Sequence, residues 1–207
     1  MKLTYLNNNS WLDITREERY YCAELYFHFR ENPLKLINLL FKTKTINCLD
    51  KKDLKSKWEL GYEVCLYRDL IHHLNKTRDN KIKIDDYNRK RTFDLCLFSE
   101  NKILIIEAKV QSGFDSKQMK HFKKDEKHFN NLGIKEGIKF PKIHLVGLAS
   151  DTYFTNVEKP GRKGIPELIK KNYFSWNDIT GTEKTDIFQK ANQLYKNSRL
   201  IVIDNIH

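Results

Sequence analysis

The chain has 207 residues, of which 40% are hydrophobic and 12% aromatic. That is enough to fill the core of one domain and excludes a wholly disordered chain. The formal net charge is +11 at pH 7. This surplus favours a polyanionic partner, because Lys and Arg beside phosphates release condensed counterions, although a merely soluble, lysine-rich surface is the alternative.

The sequence indicates neither secretion nor membrane insertion. It begins MKLTYLNNNSWLD, without the apolar run of a secretory signal, and no stretch approaches the length that spans a bilayer. The cysteines are scattered, without the paired spacing of a zinc site or redox disulfide: Cys22, Cys48, Cys65 and Cys96. We therefore expect a cytoplasmic protein without a membrane partner, whose cysteines are mostly small core residues.

Helices are predicted in the first third of the chain. A capping-box pattern at Thr15 opens a helix over residues 15–30, and proline in the first turn predicts a second helix over 33–41. A third helix is predicted over 58–74, where apolar and aromatic side chains recur at helical spacing.

Three strand candidates follow. Residues 81–84 alternate, residues 92–98 are rich in apolar and aromatic side chains, and residues 102–110 contain an apolar run that ends in charge. Gly113 breaks the pattern, and Asp115 and Gln118 are then spaced as the cap of a helix that ends near residue 131.

The last third of the chain continues the alternation of helices and strands. A buried strand is predicted over 143–148, a short helix from Pro166, a helix over 185–195 and a final strand over 200–203. The central order of helix, three strands, helix and strand predicts an α/β fold with a mixed sheet, a three-stranded meander and one crossover.

The hairpin formed by residues 92–110 brings charged side chains together. If Glu100-Asn101 is the centre of its turn, Asp94 lies opposite Glu107, and Lys109 shares a strand face with Glu107. Like charges opposite each other destabilise a sheet, and carboxylates drawn inward need a cation or must take up protons. A hard divalent ion such as Mg²⁺ relieves the conflict. The structural alternative is an exposed strand end with salt bridges.

Asp94, followed by Glu107-Ala108-Lys109 at the end of an apolar strand, resembles the PD-(D/E)-x-K nuclease superfamily. The resemblance covers about residues 58–150 and includes the order of the elements, while Phe93 replaces the proline of the family name. It implies a restriction-endonuclease-like core over 58–150, with an amino-terminal helical part (1–57) and a carboxy-terminal extension (151–207) in a single domain.

The resemblance also implies the metal site. Asp94, Glu107 and the backbone carbonyl of Ala108 would bind Mg²⁺, for which Mn²⁺ could substitute, and the ion would activate a water molecule. Lys109 would orient that water and offset the negative charge that builds on phosphorus.

A further acid and several substrate contacts are expected around this set. Many relatives carry another acid on the preceding helix, where Glu63 fits best and Glu59 competes, as does Glu24 on the first helix. The candidates for substrate contact are Gln111, Gln118, Lys117 and Arg91.

The activity implied is Mg²⁺-dependent hydrolysis of DNA phosphodiester bonds, as an endonuclease acting on double-stranded DNA. A homodimer is left open, since double-strand cutters often pair. Two alternatives remain: an inactive nucleic-acid-binding protein on the same fold, and a basic interaction module with no nucleic-acid partner.

Overall fold

The computed structural model describes residues 10–76, 91–135, 139–155, 164–183 and 186–203. A short 3-10 helix (Asp53–Lys55) precedes the first strand. In chain order, the other elements are α1 (Trp11–Ile14), α2 (Glu18–Phe29), α3 (Pro33–Lys42), β1 (Glu59–Val64), α4 (Leu66–Lys76), β2 (Phe93–Phe98), β3 (Lys102–Ala108), α5 (Ser116–Lys135), β4 (Lys142–Ala149), α6 (Asp151–Thr155), β5 (Tyr173–Ser175), α7 (Trp176–Glu183) and α8 (Asp186–Ile203).

The strands form one five-stranded mixed sheet in the order β1-β2-β3-β4-β5. The β1-β2 and β2-β3 pairs are antiparallel, whereas β4 and β5 continue the sheet in parallel. Helix α5 makes the crossover from β3 to β4, as parallel pairing requires. The predicted α/β class, with a mixed sheet flanked by helices, is confirmed.

Both faces of the sheet are covered. Leu97, Leu104 and Val146 face a core shared with α2, α3, α7 and α8. Ile105 and Leu145 face a second core shared with α4 and α5. Strands buried on both sides account for the near-continuous apolar sequences of β3 and β4. The four cysteines are buried, as predicted.

The predicted hairpin register is confirmed over Leu95 to Phe98, whereas Asp94 and Glu107 lie just beyond the paired residues of the hairpin. Leu95 pairs with Ile106 and Phe98 with Ile103, which is the register set by a Glu100-Asn101 turn. The backbone N–H of Ser99 donates to the carbonyl of Lys102 at 2.9 Å and closes this turn.

The predicted helix over 58–74 is wrong in its first half. Residues Glu59–Val64 form β1, which pairs with β2, and the helix begins only at Leu66. The aromatic side chains fit either period, and pairing with β2 decides between them. The indole N–H of Trp58 donates to the carbonyl of Asp53 at 2.9 Å and fixes the chain just before the strand. The predicted strand over 81–84 lies outside the described residues.

Three smaller expectations also fail. The apolar run 200–203 belongs to α8, since four apolar residues are too few to distinguish a strand from a buried helix. Pro166 begins a turn, in which the N–H of Ile169 donates to its carbonyl at 3.0 Å. The hydroxyl of Thr15 accepts from the N–H of Glu17, and α2 begins at Glu18 without a side-chain cap.

At the start of α5, Asp115 accepts a hydrogen bond from the N–H of Lys117 at 3.0 Å, as expected of a cap. The side chain of Gln118 does not share this role and turns to Glu107. Among the described residues, no helix is both long enough and apolar enough to cross a membrane.

Candidate metal centre

Three carboxylates meet at the carboxyl end of β3. Asp94 comes from β2, Glu107 from β3 and Glu18 from the first turn of α2. One oxygen atom of each lies within 4.8 Å of the others. Glu107 is 4% exposed, and Asp94 and Glu18 are half-buried, so the cluster is not a fully solvated acidic surface.

The sheet is irregular beside this cluster. Phe93 packs in one core and Leu95 in the opposite one, although residues two apart on a regular strand share a face. On the adjacent strand, Glu63 has φ of 51°, which is uncommon for a residue with a side chain. The irregularity coincides with Asp94, whose Oδ2 accepts a hydrogen bond from the N–H of Ala108 at 2.9 Å.

Lys109 lies between two of the acids. Its Nζ is 2.8 Å from Oε1 of Glu107 and 3.0 Å from Oε1 of Glu18. The side-chain amide of Gln118 also donates to Oε1 of Glu107. The backbone of Lys109 is fixed as well, since the indole N–H of Trp176 donates to its carbonyl at 3.0 Å. The ammonium is therefore held in place from both ends of the residue.

The electrostatics favour an additional cation. Burial, followed by the charge of Glu107, raises the pKa of Asp94 to about 7, against the opposing effects of the N–H of Ala108 and the charge of Lys109. Burial also raises the pKa of Glu107 and of Glu18, and Lys109 opposes both shifts. Burial by itself would lower the pKa of Lys109, but the charges of Glu107 and Glu18 outweigh it, and the net shift is upward. One ammonium cannot neutralise three carboxylates.

The donor set fits Mg²⁺ or Mn²⁺. All three side chains offer oxygen atoms, which these hard ions prefer. With metal–oxygen distances of about 2.1 Å, two ligands of one Mg²⁺ lie at most about 4.2 Å apart. The spread of up to 4.8 Å among the three oxygen atoms therefore needs only small side-chain rotations.

The structure places the predicted additional acid elsewhere. Glu63 stands on β1 rather than on a helix, and its Oε1 forms an ion pair with Nε of Arg19 at 3.3 Å. Neither Glu63 nor its competitors Glu59 and Glu24 belong to the carboxylate cluster, in which Glu18 is the third member.

Glu18 was not predicted, but the sequence carries a signal for it. Glu18 falls in helical phase with the buried residues of α2, which are Tyr21, Cys22, Leu25 and Phe29. An acid in line with an apolar stripe is unusual, because a buried carboxylate needs a compensating partner. The predicted capping box assigned this glutamate to helix initiation instead.

The predicted substrate contacts lie in different surroundings. Gln118 touches the cluster through Glu107, and Lys117 is exposed at the start of α5. The side-chain amide of Gln111 donates to the carbonyl of Arg16 at 3.0 Å, just before α2.

Arg91 is held in the core. Its side chain is 12% exposed, and Nε lies 2.9 Å from Oδ2 of Asp125. The same Oδ2 of Asp125 has no hydrogen-bond partner among the described residues. The contact with Arg91 is therefore an ion pair without hydrogen-bond geometry. The guanidinium also lies 4.4 Å from the ring centroid of Phe122.

A cavity of about 540 Å³ at the carboxyl ends of β4 and β5 is a weaker candidate for a cation. Of its two acids, Asp178 accepts hydrogen bonds from the N–H and hydroxyl of Ser175, and Asp151 accepts from Thr152 and Asn192. These carboxylates are satisfied by the protein and do not crowd one another.

No protein-family model matches the chain, and no curated protein or solved structure matches it. The interpretation of the centre therefore depends on its own geometry and on the resemblance of its sequence pattern.

Proposed function

We propose that the protein is a Mg²⁺-dependent nuclease of the PD-(D/E)-x-K type that hydrolyses phosphodiester bonds of DNA. The observation that carries the proposal is the cluster of Glu18, Asp94 and Glu107 within 4.8 Å beside Lys109. A purely structural role explains the cluster poorly, since buried like charges destabilise the fold.

In this proposal, Asp94, Glu107 and Glu18 hold Mg²⁺, or Mn²⁺ in its place, together with the carbonyl of Ala108. The carbonyl is suitably directed, because the N–H of Ala108 points to Asp94 and both groups of a strand residue point to the same side. When bound, the ion polarises the phosphodiester and lowers the pKa of a coordinated water.

Lys109 acts as a fixed cation. Its raised pKa keeps the ammonium charged at neutral pH, so it does not serve as the base that removes a proton. The ammonium donates hydrogen bonds that orient the attacking water, and its charge offsets the negative charge on the phosphoryl oxygens in the transition state. Gln118 and Glu18 hold this arrangement through Glu107 and Lys109.

The order of the elements supports a restriction-endonuclease-like core. Helix α2, strands β1 to β3, helix α5 and strand β4 follow the order that the resemblance implies, with α3 between α2 and β1 and α4 between β1 and β2. The core then includes part of the amino-terminal region, since α2 supplies Glu18. We further propose endonucleolytic cleavage of double-stranded DNA in the cytoplasm, with a homodimer as one arrangement for cutting both strands.

The test uses closed circular plasmid and linear DNA with Mg²⁺, in parallel with EDTA. We expect nicked circles only with Mg²⁺, and rates lower by about 10²–10³-fold in Glu107→Gln and Lys109→Met. Glu100→Gln is the matched control, because Glu100 is an exposed acid in the turn at the other end of the same hairpin.

Cleavage that survives Glu107→Gln at the wild-type rate would contradict the proposal. DNA retention without Mg²⁺-dependent cleavage would favour an inactive nucleic-acid-binding protein. Degradation of linear DNA with intact circles would overturn the endonucleolytic part.

A further inference from the structure

Helix α5 carries one sign of charge on the face that points away from the sheet. Among the described side chains of α5, the buried ones are the apolar Met119, Phe122 and Phe129 together with Asp125. The opposite face presents exposed lysines, and at about 100° per residue four of them fall within a stripe about 80° wide. This lysine stripe consists of Lys117, Lys120, Lys124 and Lys127.

The lysine stripe has an energetic cost. Like charges three or four positions apart destabilise a helix by about 0.2–0.5 kcal/mol per pair. In the described parts of the chain, no acid forms an ion pair with any of the four lysines. Glu126, an exposed acid of the same segment, lies off the stripe. A face that served solubility alone would mix both signs, so the stripe suits a polyanion.

The lysine stripe starts in the turn of α5 that reaches the candidate metal centre, with Lys117 about 100° from Gln118 around the helix axis. Gln118, in the first turn of α5, donates to Glu107, and Lys117 precedes it directly. From Lys117 to Lys127 the helix rises about 15 Å. Measured along the axis of a duplex, that length corresponds to about four phosphates of one strand, at a rise of about 3.4 Å each.

We infer that the lysine stripe of α5 binds the phosphate backbone of duplex DNA over about four phosphates beside the scissile bond. A straight, rigid row of charges matches a stiff duplex. Proteins that bind single strands use aromatic side chains on which bases stack, and the aromatic residues of α5 with described side chains, Phe122 and Phe129, are buried. The identity of the polyanion rests on the proposed function.

The experiment measures binding in EDTA, without cleavage, to a fluorescent duplex of about 20 base pairs between about 50 and 200 mM salt. The triple variant Lys120→Gln, Lys124→Gln, Lys127→Gln should lower the slope of log affinity against log salt by about 2.7. The corresponding triple lysine-to-arginine variant should retain the slope, and circular dichroism verifies that both variants remain helical.

The matched control replaces three exposed lysines at the other end of β3 with glutamine. They are Lys51, Lys52 and Lys55, close to where Lys102 binds Asp53. This control changes the net charge equally and should leave the slope unaltered.

Equal losses of salt slope in the α5 glutamine variant and in the control variant would overturn the inference, because they would indicate diffuse electrostatic attraction. An unaltered slope in the α5 variant would overturn it too. If the α5 glutamine variant lowers the salt slope for single-stranded DNA as much as for the duplex, the duplex assignment would be overturned. Failure of the proposed function is distinguishable: it would appear as duplex binding that depends on the stripe without Mg²⁺-dependent cleavage.

Discussion

Glu18 accepts a hydrogen bond from Nζ of Lys109 at 3.0 Å, although 91 positions separate the two residues in the chain. The contact joins the first turn of α2 to the end of β3. It makes α2 part of the candidate metal centre as well as part of the core, and it predicts that metal binding depends on this helix.

Metal should stabilise the protein, and Glu18→Gln should weaken that effect. Binding to the folded state alone adds about 2.7 kcal/mol when the ion is at 100 times its Kd. We expect Mg²⁺ and Mn²⁺ to raise the Tm of the wild type, and Glu18→Gln to need a higher metal concentration for the same shift. Glu17→Gln, at the adjacent exposed acid, is the control. Identical metal titrations for both variants would remove Glu18 from the ligand set.

Without metal, stability should fall as pH rises across the range in which Asp94 titrates. The pKa of Asp94 is raised from 3.8 to about 7, so between these values the folded state holds a proton that the unfolded state releases. The titration of Asp94 should by itself lower the free energy of unfolding by at most about 1.4 kcal/mol per pH unit. Because burial also raises the pKa of Glu107 and Glu18, urea unfolding in EDTA should show that Asp94→Asn reduces this loss without abolishing it. The same pH dependence in wild type and variant would contradict the assigned environment.

The titration of His144 should make the protein less stable as pH falls, which is the opposite of the effect of Asp94. Burial lowers its pKa from 6.5 to about 4, with help from Lys142 and Lys102, and its Nε2 is buried without a hydrogen-bond partner among the described residues. Its contribution to stability is therefore complete above pH 6.5 and is lost as pH falls toward 4. Relative to wild type, His144→Phe should be more stable at pH 5 than at pH 7 in urea unfolding. The same change at exposed His72 is the control, and a pH-independent difference would count against the prediction.

Arg91 should matter for folding more than for DNA binding. Asp125 is 6% exposed and is held by Arg91 and by the hydroxyl of Tyr67 at 2.8 Å. Arg91→Met leaves a buried carboxylate without its cation, which costs about 3–5 kcal/mol. Adding Asp125→Leu should recover much of that loss, as chemical denaturation would measure. If Arg91 instead contacts a phosphate, the salt slope of DNA binding should fall by about 0.9.

The hairpin that carries Asp94 and Glu107 could be predicted from the sequence because its determinants are local. A two-residue turn sets the pairing from Leu95 to Phe98. Counting on from that register brings Asp94 close to Glu107, although the strand is irregular at Asp94 and this pair lies outside the regular ladder.

The surroundings of the hairpin could not be predicted in the same way. The segment 58–64 fits a helix or a strand, and only its pairing with β2 decides. That error placed the additional acid at Glu63, whereas Glu18 reaches the cluster through the packing of α2. Such packing depends on contacts far apart in sequence, and residue spacing does not contain them.

The hydrogen bond from Trp176 to the carbonyl of Lys109 links the end of the proposed catalytic motif to a residue 67 positions later. During synthesis, a chain that has not yet released this tryptophan from the ribosome lacks the brace that fixes the lysine backbone. A nascent protein would therefore acquire a well-ordered centre only after Trp176 has emerged, so that, under the proposed nuclease function, immature chains would be unable to cut nucleic acid around them.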